Sequence, residues 1–125
     1  MPAEAEKPSV FRPGGLTYVR IPTPHPREAA AFYRDVFGWT LHGDPDEPGF
    51  DDATGHLIGH FVSDLSVAGD AGFRPYVYVD DLEATLDAVV AHGGEVVTPP
   101  YPEGDLSIAV LRDPAGNILG AWQRT

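Results

Sequence analysis

Cysteine is absent from the chain, which excludes disulfides, thiolate metal sites, iron–sulfur clusters and cysteine nucleophiles together. Positive charge is scarce: 8 Lys and Arg stand against 19 Asp and Glu, and the formal net charge of -11 repels a polyanion such as DNA or an anionic membrane surface. Apolar runs are short. Nothing approaches the ~18 apolar residues of a membrane span, and the opening MPAEAEKPSVFRPGG holds no run long enough for a signal peptide. No serine lies in a G-x-S-x-G elbow, and no glycine loop is followed by the lysine that cradles phosphate. The composition predicts a cytoplasmic protein with neither nucleic acid nor membrane as partner.

What is present is enough apolar content, 42% of 125 residues, to bury one modest core, so a single domain is expected. Residues 1–14 mix Pro, Glu, Lys and Gly without periodicity and read as a flexible tail before a domain over 15–125. LTYVRIP then alternates, with Val19 and Ile21 on one face and Tyr18 and Arg20 on the other, which predicts a strand over 16–21. PREAAAFYRDVFGW opens on Pro26, places Glu28 in the first turn and closes on Gly38, the signs of a helix with Ala29, Phe32, Val36 and Phe37 on its apolar stripe. WTLHG, GFDDAT and GHLIGHFV read as three short strands.

From Arg74 the order begins again. RPYVYV alternates, DDLEATLDAVVAHGG is an amphipathic helix with Leu82, Leu86, Val89 and Val90 inward, and EVVTP is a strand. Two last strands, in LSIAVLRDP and GNILGAWQ, join through the turn residues Asp113 to Asn117 as a hairpin. Tyr18 to Ile21 matches Tyr76 to Val79 at an offset of 58, and Gly38 matches Gly93 at 55. The chain is therefore expected to be an α+β protein of two βαβββ modules, about 15–66 and 72–124.

Two motifs invite a metal and lose it on geometry. His56 and His60 have the four-residue spacing of helical zinc ligands, but their Gly-rich, β-branched and aromatic context predicts a strand, where four residues span about 13 Å. In the acidic run Asp44, Asp46, Glu47, Asp51, Asp52, an EF-hand register puts Pro48 at the fifth position and Gly55 where the bidentate glutamate belongs, so a solvated loop is expected. His25, between Pro24 and Pro26, reads as a surface-loop residue.

Strand parity then singles out one set of side chains. If Val19, Ile21, Val77, Val79, Leu119 and Ala121 lie under the helices, Tyr18, Arg20, Arg74, Tyr76, Tyr78, Ile118 and Trp122 face the other way. Rings with a few cationic donors suit a flat organic molecule bearing a carbonyl or an anionic group. Whichever of His56 and His60 shares that face, and Trp39 after the first helix, are further candidates for ligand binding. The competing reading is that these rings decorate a sheet face that is solvated or buried in a dimer.

The repeat, with FYRDVFGW in the first helix, YVYVDDLEATLDAVVAHGGEVV in the second module and DPAGNILGAWQ at the end, resembles the vicinal oxygen chelate superfamily of glyoxalases, bleomycin-resistance proteins and dioxygenases. The likeness covers roughly residues 15–124. It implies that the modules make a cupped mixed sheet around a small-molecule site, and that the protein is a homodimer. In metal-dependent members an ion is held from the first strand of each module and from the last strands; those positions fall here on Tyr18, Arg74 and Gly120. Arginine has no lone pair to offer, glycine no side chain, and tyrosine must first lose a proton. The expectation is a small-molecule-binding protein without metal or other cofactor, acting on an aromatic or carbonyl-bearing metabolite or drug. The alternative is an enzyme of the same superfamily, a lyase or dioxygenase using unrecognised ligands, or a metal-free acid/base catalyst.

Overall fold

A computed structural model describes residues 9–69 and 71–125. The elements run β1 (Tyr18–Pro22), α1 (Pro26–Phe37), β2 (Thr40–His42), β3 (Gly49–Asp51), β4 (Ile58–Val62), β5 (Tyr76–Tyr78), α2 (Leu82–Ala91), β6 (Glu95–Glu103), β7 (Leu106–Arg112) and β8 (Ile118–Arg124). They form two four-stranded mixed sheets, ordered β1-β4-β3-β2 and β5-β8-β7-β6, in which β1 lies parallel to β4 and β5 parallel to β8. The duplicated βαβββ order expected from the internal repeat is therefore the order of the fold, and the class is α+β. Of the tail expected at 1–14, residues 1–8 lie outside the described part; residues 9–17 precede β1 without helix or strand. No helix among the described residues is long and apolar enough to cross a membrane.

Local chemistry explains the elements. Pro26 stands in the first turn of α1, where its missing N–H costs nothing, and Gly38 ends the helix at φ 75°, its N–H returning to the Arg34 carbonyl at 3.0 Å. Asp81 caps α2 by accepting from the Ala84 N–H at 3.0 Å. Both helices lay their apolar stripes on the sheets, so Phe32, Phe50, Phe61, Leu82, Val89 and Leu111 are fully buried. Three expectations shift. The first strand starts at Tyr18 rather than Leu16, and the strand expected in GHLIGHFV begins only at Ile58, which leaves His56 before it. Val90, placed on the inward stripe of the second helix, is 60% exposed. It sits about 80° round the helix from Leu82, at the edge of the arc that faces the sheet.

The modules are tied together by a buried polar knot. Asp113 is 3% exposed; its Oδ1 accepts from the N–H groups of Ala115, Gly116 and Asn117, each at 2.9 Å, which folds the β7–β8 turn. Its Oδ2 accepts from the Tyr33 hydroxyl of α1 and from Asn117 Nδ2, both at 2.9 Å, and the same amide donates to the Pro22 carbonyl at 2.8 Å. One carboxylate thus joins the end of β1, helix α1 and the last hairpin.

Burial, and then the neighbouring Asp113 charge and hydrogen bond, hold the Tyr33 hydroxyl well above the ordinary phenol pKa. The unfolded chain releases that proton near pH 10 while the folded chain keeps it, so the stability Tyr33 contributes is complete below about pH 10 and is lost as pH climbs toward the raised value. Tyr33→Phe is expected to cost about 2 kcal/mol at pH 7 and to flatten part of the alkaline loss. Urea midpoints of both proteins at pH 7 and pH 11 measure this; a gap between them that stays constant with pH contradicts it.

Candidate functional site

The strand registers resolve each sheet into two faces. In the first sheet Val19, Ile21, Leu41, Phe50 and Phe61 lie against the helices, and the opposite face carries two cross-strand rows. One row is Tyr18, Ile58, Asp51 and Thr40; the next is Arg20, His60, Gly49 and His42. Two diagonal contacts join the rows: the Tyr18 hydroxyl meets His60 Nδ1 at 2.8 Å, and His42 Nε2 meets Asp51 Oδ1 at 3.0 Å. Arg20 makes a bidentate pair with Asp64, at 2.9 and 3.0 Å, so its guanidinium is aimed but already engaged.

In the second sheet Val77, Ala109, Leu111, Leu119 and Ala121 face the helices, and Tyr76, Tyr78, Gly120, Trp122, Ile108 and Val110 share the other side. Tyr78 and Trp122 meet edge to face, with centroids 5.0 Å apart, and the Tyr78 oxygen accepts from the Arg124 N–H at 3.2 Å. The Tyr76 ring lies directly over Gly120, where a Cβ would stand 2.1 Å from its Cδ2. Beneath these rings Ile108, Val110 and Ile118 are buried, which gives the face an apolar floor.

The sequence-derived candidates separate accordingly. Tyr18, Arg20 and His60 stand together on the first sheet, and Tyr76, Tyr78 and Trp122 on the second. Arg74 is exposed just before β5. His56 lies ahead of β4 with Nδ1 3.3 Å from the Ser9 carbonyl, apart from the row that holds His60. Trp39 belongs to the core: its indole is sandwiched between Tyr33 and Phe50, with both centroid distances 4.7 Å. It follows the α1 cap, where the chain passes beneath the helix before β2, and this aromatic stack accounts for it without a ligand.

His42, Gly49, Asp51 and Asp64 were not singled out from the sequence. Alternation around Leu41 and Phe50 was the available signal for the first three; which residues they would meet depends on the register across the 43–48 loop, which alternation does not supply. Shallow clefts of about 290 and 260 Å³ lie elsewhere, beside the start of α1 and lined by Pro24, His25 and Glu28.

The positions where the superfamily resemblance implies metal ligands do not fit an ion. Gly120 has no donor, and a side chain there would collide with the Tyr76 ring; the Tyr18 hydroxyl is spent on His60; Arg74 brings a positive charge. Among the described residues no group of three or more His, Cys, Asp or Glu could hold a metal.

Comparison with known proteins bears on this geometry. The glyoxalase-like domain family matches residues 18–119. A Mycobacterium tuberculosis protein provisionally named as a glyoxylase, CFP32, is 32% identical over 128 residues, covering 94% of this chain but 48% of its own length, so the chain spans about half the length of that relative. Among solved structures, a glyoxalase/bleomycin resistance protein/dioxygenase family enzyme from Burkholderia phytofirmans is 26% identical with a TM-score of 0.74, covering 90% of this chain and 100% of that one. TnmS3, an antibiotic binding protein from a Streptomyces species, is 19% identical with a TM-score of 0.70 over 90% of this chain and 97% of its own.

Proposed function

The chain belongs to the glyoxalase-like domain family, and with it to the vicinal oxygen chelate superfamily, and on that premise we propose that it is a binding member that has lost the superfamily metal site. Its ligand is an aromatic or carbonyl-bearing metabolite or drug. The observation that carries this reading is the free face of the second sheet. There the Tyr78 and Trp122 rings stand over a floor of Ile108, Val110 and Ile118, while the place of a metal carboxylate, Gly120, is covered by Tyr76. A wall of rings over aliphatic side chains takes up a planar molecule, and Arg74 supplies charge for a carbonyl or acid group. TnmS3 shows that a protein of this fold is an antibiotic binding protein.

The two tryptophans make the test direct, since Trp39 is in the core and Trp122 is on the proposed face. In Trp39→Phe the remaining indole reports on the site. A panel of polycyclic aromatic and quinone compounds is expected to contain members that quench Trp122 and raise the melting temperature by about 10 °C at a hundredfold excess over Kd. Trp122→Ala weakens them about tenfold, or 1.4 kcal/mol. If no compound moves either signal, the proposal fails. A cytoplasmic homodimer completes the proposal, with exposed Leu16 and Phe73 beside the edge strands β1 and β5 supplying apolar contact surface.

One contact favours a second reading, metal-free proton transfer. Tyr18 and His60 form a phenol–imidazole pair at 2.8 Å on a free face, the geometry of a general acid/base relay. Turnover of a bound carbonyl compound, abolished in Tyr18→Phe with binding retained, distinguishes it from binding alone.

A further inference from the structure

Gly49 occupies the middle of the second row on the first sheet, with His42 on one neighbouring strand and His60 on the other. Because it has no side chain, both imidazoles lean over it. The point where a Cβ would stand lies 3.0 Å from His42 Nδ1 and 3.3 Å from His60 Nε2. The two nitrogens therefore flank one small volume from opposite sides. Their outer nitrogens are each held by a neighbour: His42 Nε2 by the Asp51 carboxylate at 3.0 Å and His60 Nδ1 by the Tyr18 hydroxyl at 2.8 Å. A carboxylate only accepts, so His42 must donate from Nε2, which leaves a lone pair on Nδ1 directed at the gap. The Tyr18 oxygen can accept from His60 Nδ1 in the same way and free the lone pair of Nε2.

We propose that His42 Nδ1 and His60 Nε2 are the protein ligands of a divalent late first-row transition ion, taken up over Gly49 and completed by water. Two neutral imidazoles, each with its second N–H anchored to an oxygen acceptor, are the arrangement by which proteins orient histidine toward a metal and raise its basicity. The donors are nitrogen only, which selects Cu, Ni and Zn over Ca and Mg, and within that series Cu(II) binds most tightly. Neither histidine occupies a position where the superfamily resemblance implies a ligand. The inference is independent of the organic ligand proposed for the second sheet, because its test uses the metal alone.

Titration of the full chain with Cu(II), followed by calorimetry and electron paramagnetic resonance, is expected to give one site with hyperfine splitting from two imidazole nitrogens. His42→Gln and His60→Gln, each confirmed folded by circular dichroism, should lose at least tenfold in affinity and show at most one coordinated imidazole. Asp51→Asn should weaken binding roughly tenfold by removing the anchor without removing a ligand. Gly49→Ala, which puts a methyl into the gap, should also weaken it. The variant His25→Gln/His56→Gln/His92→Gln retains the site. Wild-type affinity in both His42→Gln and His60→Gln, or loss of the signal in the triple variant, overturns the assignment.

Discussion

Replacing Asp113 by alanine is expected to lower stability by about 3–5 kcal/mol, the largest loss from any single polar side chain among the described residues. The carboxylate accepts five hydrogen bonds, three from the backbone of its own turn and two from Tyr33 and Asn117. Alanine leaves the buried Tyr33 hydroxyl and the turn N–H groups facing a void that their former acceptor filled. The loss also falls on both modules at once, since Asn117 holds the Pro22 carbonyl from the same knot. Asparagine is nearly isosteric and is expected to recover little. Its oxygen can serve the turn, but its amide then presents hydrogens to the Asn117 amide and the Tyr33 hydroxyl, where an acceptor is needed. Adding Tyr33→Phe to Asp113→Asn removes one of those misplaced donors, so the double variant should be more stable than the sum of the singles by 1 kcal/mol or more. Urea denaturation of the four proteins closes the cycle. Simple additivity would mean that Tyr33 and Asp113 do not share one network.

That knot also marks the boundary of what could be read from residue order. Pro, Gly and Asn in DPAGN identified a reversal, and the hairpin between β7 and β8 is there. The turn chemistry is local, so local residues report it. The carboxylate's other partners stand 80 residues away in Tyr33 and, through Asn117, 95 residues away in Pro22; no periodicity encodes such contacts. The same division runs through the candidate site. Two-residue alternation placed Tyr18, Arg20, Tyr76, Tyr78 and Trp122 opposite the core face of their strands, because parity depends only on which neighbours are apolar. It did not reveal the Arg20–Asp64 pair or the convergence of His42 and His60 over Gly49, which depend on cross-strand register and on a missing side chain. Trp39 shows the converse. An aromatic residue at a helix-to-strand junction is equally suited to a ligand or a core, and only the packing of Phe50 from β3 decides between them.

Trp39→Ala is accordingly expected to act on stability, with a loss of about 3–5 kcal/mol and a fall in melting temperature of about 10–15 °C. The indole is the middle member of a stack that runs from Tyr33 through Trp39 to Phe50, and Phe61 closes on both ends at 5.4 and 5.1 Å. Deleting it removes two ring contacts worth about 0.5–1.5 kcal/mol each beyond area burial, and opens a cavity between helix α1 and strand β3 that neither ring can close without leaving its rotamer. Trp39→Phe keeps a plane in the stack and should cost less than half as much, which is why it serves as the background for reading Trp122. Thermal melts of the two variants measure the ratio. A ligand-contacting indole on an open face would show the reverse pattern, near-wild-type melting for both substitutions with loss of compound binding, and that result would move Trp39 out of the core and onto the binding surface.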